Sequence, residues 1–217
     1  MPDYVVERVM RKRGRLRVFE HFAPARTALV IIDMQRFYLA DCPPALEIIP
    51  TVNRLARGFR AAGAHVAWVS MTAGRNGESL WPLYHEYFFR KENGDRHRDQ
   101  LSEGCEGHRL HADLDTRPDD IYASKNRFSA FLPQACDLHG KLQAAGIENV
   151  AIGGTVTNFC CETSARDAMM MDYRVAMISD ACAARHPEDH RAGFTTVFQS
   201  FGDVMTADEM LGGVLHA

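Results

Sequence analysis

Short, nearly unbroken apolar runs recur along the chain, and each is followed by a stretch of helical periodicity. The segments 27–33, 64–70, 120–124, 148–153, 173–179 and 203–206 read as six strands. Helical patterns occupy 45–62, broken early by Pro50 and closed by Gly63, and about 133–145, ending at Gly146. A further helix starts near Cys160, with Asn158 placed as its N-cap, and a last one runs from Pro187 to about Ser200. Strands that are apolar throughout and alternate with helices predict an α/β fold, a parallel sheet covered on both faces.

Two segments fall outside this rhythm. Residues 1–24 carry a basic cluster (Arg11, Lys12, Arg13, Arg15, Arg17) and read as an N-terminal arm, solvated or packed on the domain or on a neighbouring subunit. Residues 71–118 form a long, polar, His-rich connection, and such a length inside a compact domain marks a lid or an interface. The domain itself is expected to span 25–217.

Composition narrows the function class. A chain of 217 residues is enough for one domain with a sizeable core. A formal net charge of −3 disfavours nucleic acid as a partner. No apolar run approaches the roughly 20 residues of a membrane span, and no secretory signal is readable, so a cytoplasmic location is expected. Six cysteines (Cys42, Cys105, Cys136, Cys160, Cys161, Cys182) lack regular spacing and are expected to be mostly small buried hydrophobes. Gly153 and Gly154 follow a strand, but no dinucleotide fingerprint completes them.

Candidate chemistry collects after strand ends. Asp33 closes an apolar run and is either a cap on the next turn or a site group. Lys125 stands just past the third strand, either as a solvated charge or as a functional one. Cys160 falls at the start of a helix, where free N–H groups and the helix dipole favour a thiolate. Ligand crevices in open parallel sheets lie at the carboxyl ends of strands. If the first and fourth strands are neighbours, Asp33 and Cys160 face one crevice, and acid, base and nucleophile converge with Lys125. Cys161 is separated from Cys160 by about 100° on a helix. It shares its face with Ala165, Ala168 and Met169 and reads as core packing, while Cys160 lies with Thr163, Ser164 and Asp167.

Three ordered motifs now carry a resemblance: Ile32-Asp33-Met34-Gln35, Lys125 with Ser129-Ala130-Phe131, and Gly154-Thr155-x-Thr157-x-x-Cys160 followed by Thr163 and Asp167-Ala168. Over about 25–206 the chain resembles the isochorismatase-like cysteine hydrolases, in motif most like the ureidoacrylate and biuret amidohydrolase branch. The resemblance implies a three-layer sandwich whose six-stranded parallel sheet has the order 3-2-1-4-5-6. It also implies a catalytic triad of Asp33, Lys125 and Cys160, an oxyanion hole from the N–H groups of Val156 and Cys160, and a cis peptide between Thr155 and Val156. In the implied mechanism Asp33 takes the thiol proton, Lys125 supports the thiolate, and a thioester acyl-enzyme forms on Cys160.

The expected activity is cofactor-free hydrolysis of a small amide or ureide, releasing ammonia or carbamate. Vinyl-ether hydrolysis of the isochorismatase type and a non-enzymatic binding role on the same fold are the alternatives. Tyr38, Phe128, Trp81 and Tyr84 are expected to wall the pocket. Gln35 and Asn126 either contact substrate or brace the backbone. No metal is expected, because the second strand ends in Ser70-Met71-Thr72 where the metal-binding branch carries ligands. His85, His97, His108, His111, His186 and His190 read as solvated. The substrate is expected to be compact and largely neutral; for a carboxylated ureide, Arg127 or the His-rich loop is the candidate anion contact. A homo-oligomer, dimer or tetramer, is expected.

Overall fold

In a computed structural model of the chain, which describes residues 1–216, strands β1 (Thr27–Ile32), β2 (His65–Met71), β3 (Ile121–Lys125), β4 (Asn149–Thr155), β5 (Arg174–Ala183) and β6 (Asp203–Met205) form one sheet. Every pairing is parallel and the spatial order is β3-β2-β1-β4-β5-β6. That is the 3-2-1-4-5-6 arrangement. β1 is buried along its whole length, as expected of a strand with helices on both faces.

The two-residue alternation of a strand divides the core in two. Leu29 and Ile31 of β1 point to one side, where they meet Val52, Leu55, Ala56 and Phe59 of the helix Ile49–Ala61. Ala28, Val30 and Ile32 point to the other, against the helices Leu138–Ala144, Glu162–Met170 and Pro187–Ser200. These layers make the three-layer sandwich.

Several element boundaries move from their expected places. Pro50 does not break a helix: a short turn at Pro44–Glu47 ends first, and Pro50 sits in the first turn of Ile49–Ala61, where its missing N–H costs nothing. The helix expected from 133 begins only at Leu138. β5 runs four residues beyond Ser179, with its register on β4 shifting between Ile152 and Gly154. Asn158 is not a cap. Residues Thr157–Cys161 form a π-helical turn entered from Val156, and the regular helix starts at Glu162.

The two segments outside the rhythm are structured. Helix Asp3–Arg13 lays Val5 and Val9 against Phe198, so the arm packs on its own domain. Residues 71–118 hold a two-stranded ribbon (Gly74–Arg75 with Glu78–Ser79) and the helices Pro82–Tyr87 and Lys91–Gln100. These two helices pack closely, since a Cβ on Gly94 would meet the His85 carbonyl at 3.2 Å. All six cysteines are free thiols. No helix among the described residues is long and apolar enough to cross a membrane.

Candidate active site

Sheet register brings the three chemical groups together. Ile32 lies beside Gly154, and Met71 beside Lys125, so β1, β2, β3 and β4 end on one edge. Asp33 follows Ile32 in the left-handed region, with φ of 53°, and its N–H donates to the Val69 carbonyl at 2.8 Å. Aspartate tolerates that conformation better than most residues. The turn aims its carboxylate along the strand ends. β1 and β4 approach very closely here: a Cβ on Gly154, whose φ is 113°, would stand 2.1 Å from the Ile32 carbonyl oxygen. The Thr155–Val156 peptide is cis, and the Thr155 hydroxyl donates to the Asp33 carbonyl at 2.8 Å.

Asp33 and Lys125 are each 1% exposed and Cys160 5%. Lys125 Nζ lies 2.7 Å from Asp33 Oδ2 and 3.4 Å from Cys160 Sγ, and it donates to the Arg127 carbonyl at 3.2 Å. The buried Asp33 carboxylate is held chiefly by the charge of Lys125. The Cys160 thiol also faces it.

Burial disfavours charge on all three groups, and their mutual charges decide the outcome. For Lys125 the pull of Asp33 and Cys160 outweighs burial, and the ammonium is held above its ordinary value. Burial raises the Asp33 carboxyl, with Lys125 pulling the other way. Burial and then the Asp33 charge push the Cys160 thiol up, and Lys125 offsets only part of this. The thiolate expected from a helix start is therefore not preformed. Cys160 enters a π-helical turn rather than a clean helix terminus, and it faces a carboxylate.

The cysteine pair divides as its helical faces indicate. Cys161 is fully buried with Ala165 and Ala168 in the sheet-facing core. Met169 does not share that face, being 41% exposed. Ser164, on the Cys160 side, is buried because its hydroxyl accepts from the Ala130 N–H at 2.9 Å.

Cys160 and Asp33 stand on the floor of a cleft of about 290 Å³. Tyr38, Tyr84 and Phe128 line it, together with Phe37, Phe89 and Phe159. Trp81 does not line it: it stacks behind Tyr84 at 4.5 Å and meets Phe128 edge-on at 5.0 Å. Gln35 does not line it either. Its amide is fully used in bracing, donating to Met71 O at 3.0 Å and His108 O at 2.8 Å and accepting from Met71 N–H at 2.8 Å. Asn126 likewise turns away, accepting from Arg127 at 3.0 Å.

Arg127 is not an anion contact. Its guanidinium lies over Trp81 and donates to the carbonyls of Leu80 and Asn126. The cations at the cleft are Arg96 and Arg185, on either side of Asp41. Arg96 Nη2 is 3.3 Å from Asp41 Oδ1, and Arg185 Nε donates to the Asp41 carbonyl at 3.1 Å. Arg185 carried a usable signal, because it follows the carboxyl end of β5. Phe89, Asn93 and Arg96 carried none, because they belong to the insertion, and His97 was visible only as one of its many histidines.

Solvation fails as a description of several histidines. His97 is 7% exposed and bonded on both ring nitrogens, to Tyr38 and His85. Burial, with His85 and Lys125 nearby, lowers its pKa to about 3. His108 pairs with Thr72 at 2.8 Å, and His190 with Thr157 at 2.8 Å. Among the described residues no group of three or more His, Cys, Asp or Glu is arranged to hold a metal ion.

Known proteins resemble this chain in sequence and in fold. The ureidoacrylate amidohydrolase RutB of Agrobacterium fabrum is 27% identical over 212 residues, covering 89% of this chain and 92% of its own. The uncharacterized isochorismatase family protein YwoC of Bacillus subtilis is 25% identical, covering 86% of this chain and 93% of its own. The crystal structure of a cysteine hydrolase from Pseudomonas syringae pv. phaseolicola 1448A matches with a TM-score of 0.79 at 26% identity, covering 91% of this chain and 96% of that one. The isochorismatase domain model matches residues 27–209, and the chain belongs to the isochorismatase family.

Proposed function

We propose that the protein is a cysteine amidohydrolase that cleaves the C–N bond of a small linear amide or ureide through a thioester on Cys160. The observation that carries this reading is the buried contact of Asp33, Lys125 and Cys160 on the cleft floor. Asp33 accepts the thiol proton as sulfur attacks the carbonyl. The Lys125 ammonium then faces a thiolate rather than a carboxylate, so charge is conserved within the buried group. The tetrahedral oxyanion sits against the N–H groups of Val156 and Cys160, each donor being worth ~2.7–4 kcal/mol in comparable sites. Asp33 returns its proton to the leaving nitrogen, and water cleaves the thioester.

The cleft favours one version of the substrate. Aromatic rings on several sides suit a compact planar group. At its lining Arg96 and Arg185 face the carboxylate of Asp41, while Lys125 balances Asp33 on the floor, leaving one formal positive charge for a substrate anion. A ureide that carries a carboxylate fits better than the neutral substrate first expected, and ureidoacrylate, named for the Agrobacterium relative, is such a molecule. No step is assigned to a metal: the Thr72 hydroxyl after β2 is engaged with His108 and with Ser124 at 2.6 Å. Exposed Leu83, Tyr87 and Phe88 on the insertion support assembly as a homo-oligomer, which light scattering in solution tests.

Steady-state ammonia release from ureidoacrylate, biuret, N-carbamoyl amino acids, maleamate and nicotinamide tests the reading. The largest specificity constant is expected for a linear, carboxylated ureide. A constant for nicotinamide above those of all linear substrates rejects it, and so does turnover in a folded Cys160→Ala variant.

A further inference from the structure

The insertion contains a line of polar groups that the reaction above does not use. Ser79 Oγ lies 2.5 Å from His85 Nδ1, His85 Nε2 lies 2.9 Å from His97 Nδ1, and His97 Nε2 lies 3.2 Å from the Tyr38 hydroxyl. Tyr38 and His97 both line the cleft, so the line begins on the ribbon at Ser79 and ends at the substrate's side of the site.

The protons in this line are not independent. A neutral imidazole has one N–H and one acceptor nitrogen, so fixing one proton fixes the direction of every link. Both rings are neutral at pH 7: burial lowers His97 to about 3, and burial followed by Arg98 lowers His85. Tyr38 keeps its proton, because burial and the nearby Asp33 and Cys160 hold its pKa well above ordinary.

Ser79 offers an anchor for one direction at the outer end. The Trp81 N–H donates to Ser79 Oγ at 3.0 Å, and the Ser79 proton then has His85 Nδ1 as its acceptor. With the Ser79 proton on that link, His85 carries its own proton on Nε2 and donates it to His97 Nδ1. His97 in turn carries its proton on Nε2 and donates it to the Tyr38 oxygen. The Tyr38 proton is left for the cleft.

We propose that Ser79, His85 and His97 form a one-way hydrogen-bond chain that aims the Tyr38 O–H into the cleft as a fixed donor to an oxygen acceptor of the substrate. His85 and His97 are positioning residues in this scheme. The proposal rests on the amidohydrolase reading only for the identity of the acceptor, a carbonyl or carboxylate oxygen. The opposite order has its own anchor, since the Trp81 carbonyl also faces the His85 ring. In that order Tyr38 would turn a lone pair to the cleft and would suit a substrate N–H instead.

Nitrogen NMR of the full chain with labelled histidine separates the two orders without any substrate. The expected spectrum at neutral pH shows His85 and His97 both protonated at Nε2. Protonation of His97 at Nδ1 overturns the proposal even in a fully active amidohydrolase, and the expected spectrum stands even if no ureide is turned over. Kinetics adds a second arm, using the faster of ureidoacrylate and biuret. His97→Phe should fit among Phe37, Phe89 and Tyr38, which already surround the ring. It is expected to raise KM by roughly tenfold with a smaller change in kcat, the scale of one lost hydrogen bond. His97→Gln, which keeps a donor near the Nε2 position, should recover most of that loss. An unchanged KM in a folded His97→Phe protein rejects the chain as a positioning device.

Discussion

Asp33, Lys125 and Cys160 stand at the ends of hydrogen-bonded neighbours in one sheet, whereas Tyr84, Phe89 and His97 stand on an insertion tied to that sheet by a few bonds. The first group is located by backbone register: Ile32 against Gly154, and Met71 against Lys125. The second is located by ring packing and by isolated links such as Ala73 N–H to Leu101 O at 3.0 Å and Arg127 to Leu80 O at 3.0 Å. A displacement of the floor would break several ladders at once. A displacement of the wall would break only a few contacts, and such regions open at lower free energy. In the proposed reaction the floor holds the groups that need fixed distances, and the wall is where substrate would be recognised.

Substitutions can break that division. Cys160→Ala or Cys160→Ser is expected to lower turnover by about 10⁴-fold or more while the circular dichroism and urea midpoint stay near those of the parent. Activity within tenfold of the parent would remove Cys160 from its role. Lys125→Met should also abolish turnover, and in addition should destabilise the fold by about 3–5 kcal/mol because Asp33 is left as an unpaired buried charge. Adding Asp33→Leu to Lys125→Met should restore much of the stability and none of the activity. If the double variant were as unstable as the single one, the penalty would not be electrostatic.

Wall substitutions should act on a smaller scale. Arg185→Gln is expected to raise KM for a carboxylated ureide by about tenfold and to leave kcat within a few-fold, as for a lost charge-assisted bond. An equal loss with neutral biuret would argue against an anion contact. His97 supplies a pH test. Its unfolded imidazole protonates near 6.5 and its folded one only near 3. Between these values the unfolded state binds more protons, so stability is complete above about 6.5 and falls as pH drops, by up to about 1.4 kcal/mol per pH unit. His97→Phe should flatten the urea midpoint between pH 6.5 and 4, and an unchanged slope would show that other groups cause it. The smallest effect is expected for Cys161→Val, under about 1.5 kcal/mol with turnover nearly unchanged, because an apolar side chain stays on the sheet-facing stripe.

The same division explains what could be read in the sequence. Strand runs such as 28–32 and the glycines 153 and 154 carry local signatures, and groups that follow strand ends fall on one edge by topology alone. Asp33, Lys125 and Cys160 were legible for that reason, as was the core role of Cys161. The state of the Cys160 thiol was not, because burial and a facing carboxylate are three-dimensional facts that a helix start does not reveal. Gln35 and Asn126 left two readings open, and only their hydrogen bonds direct them to bracing. Residues 71–118 read as a polar loop because their helices bury little: Lys91–Gln100 has only Gly94 and His97 buried, too few to impose a periodicity. Arg96 therefore had no pattern to betray it, and His97 did not stand out from the other histidines of the loop.

The near-touching backbones of Ile32 and Gly154 have a consequence for anyone redesigning this protein. The spacing between the turn that bears Asp33 and the turn that leads to Cys160 is set by main chain against main chain, where a methyl group at position 154 would already stand 2.1 Å from an oxygen. No side-chain library can tune a gap that no side chain spans. Selection for a new substrate should thus accumulate its changes on the helices Pro82–Tyr87 and Lys91–Gln100 and at Arg185, while position 154 returns glycine however the library is biased.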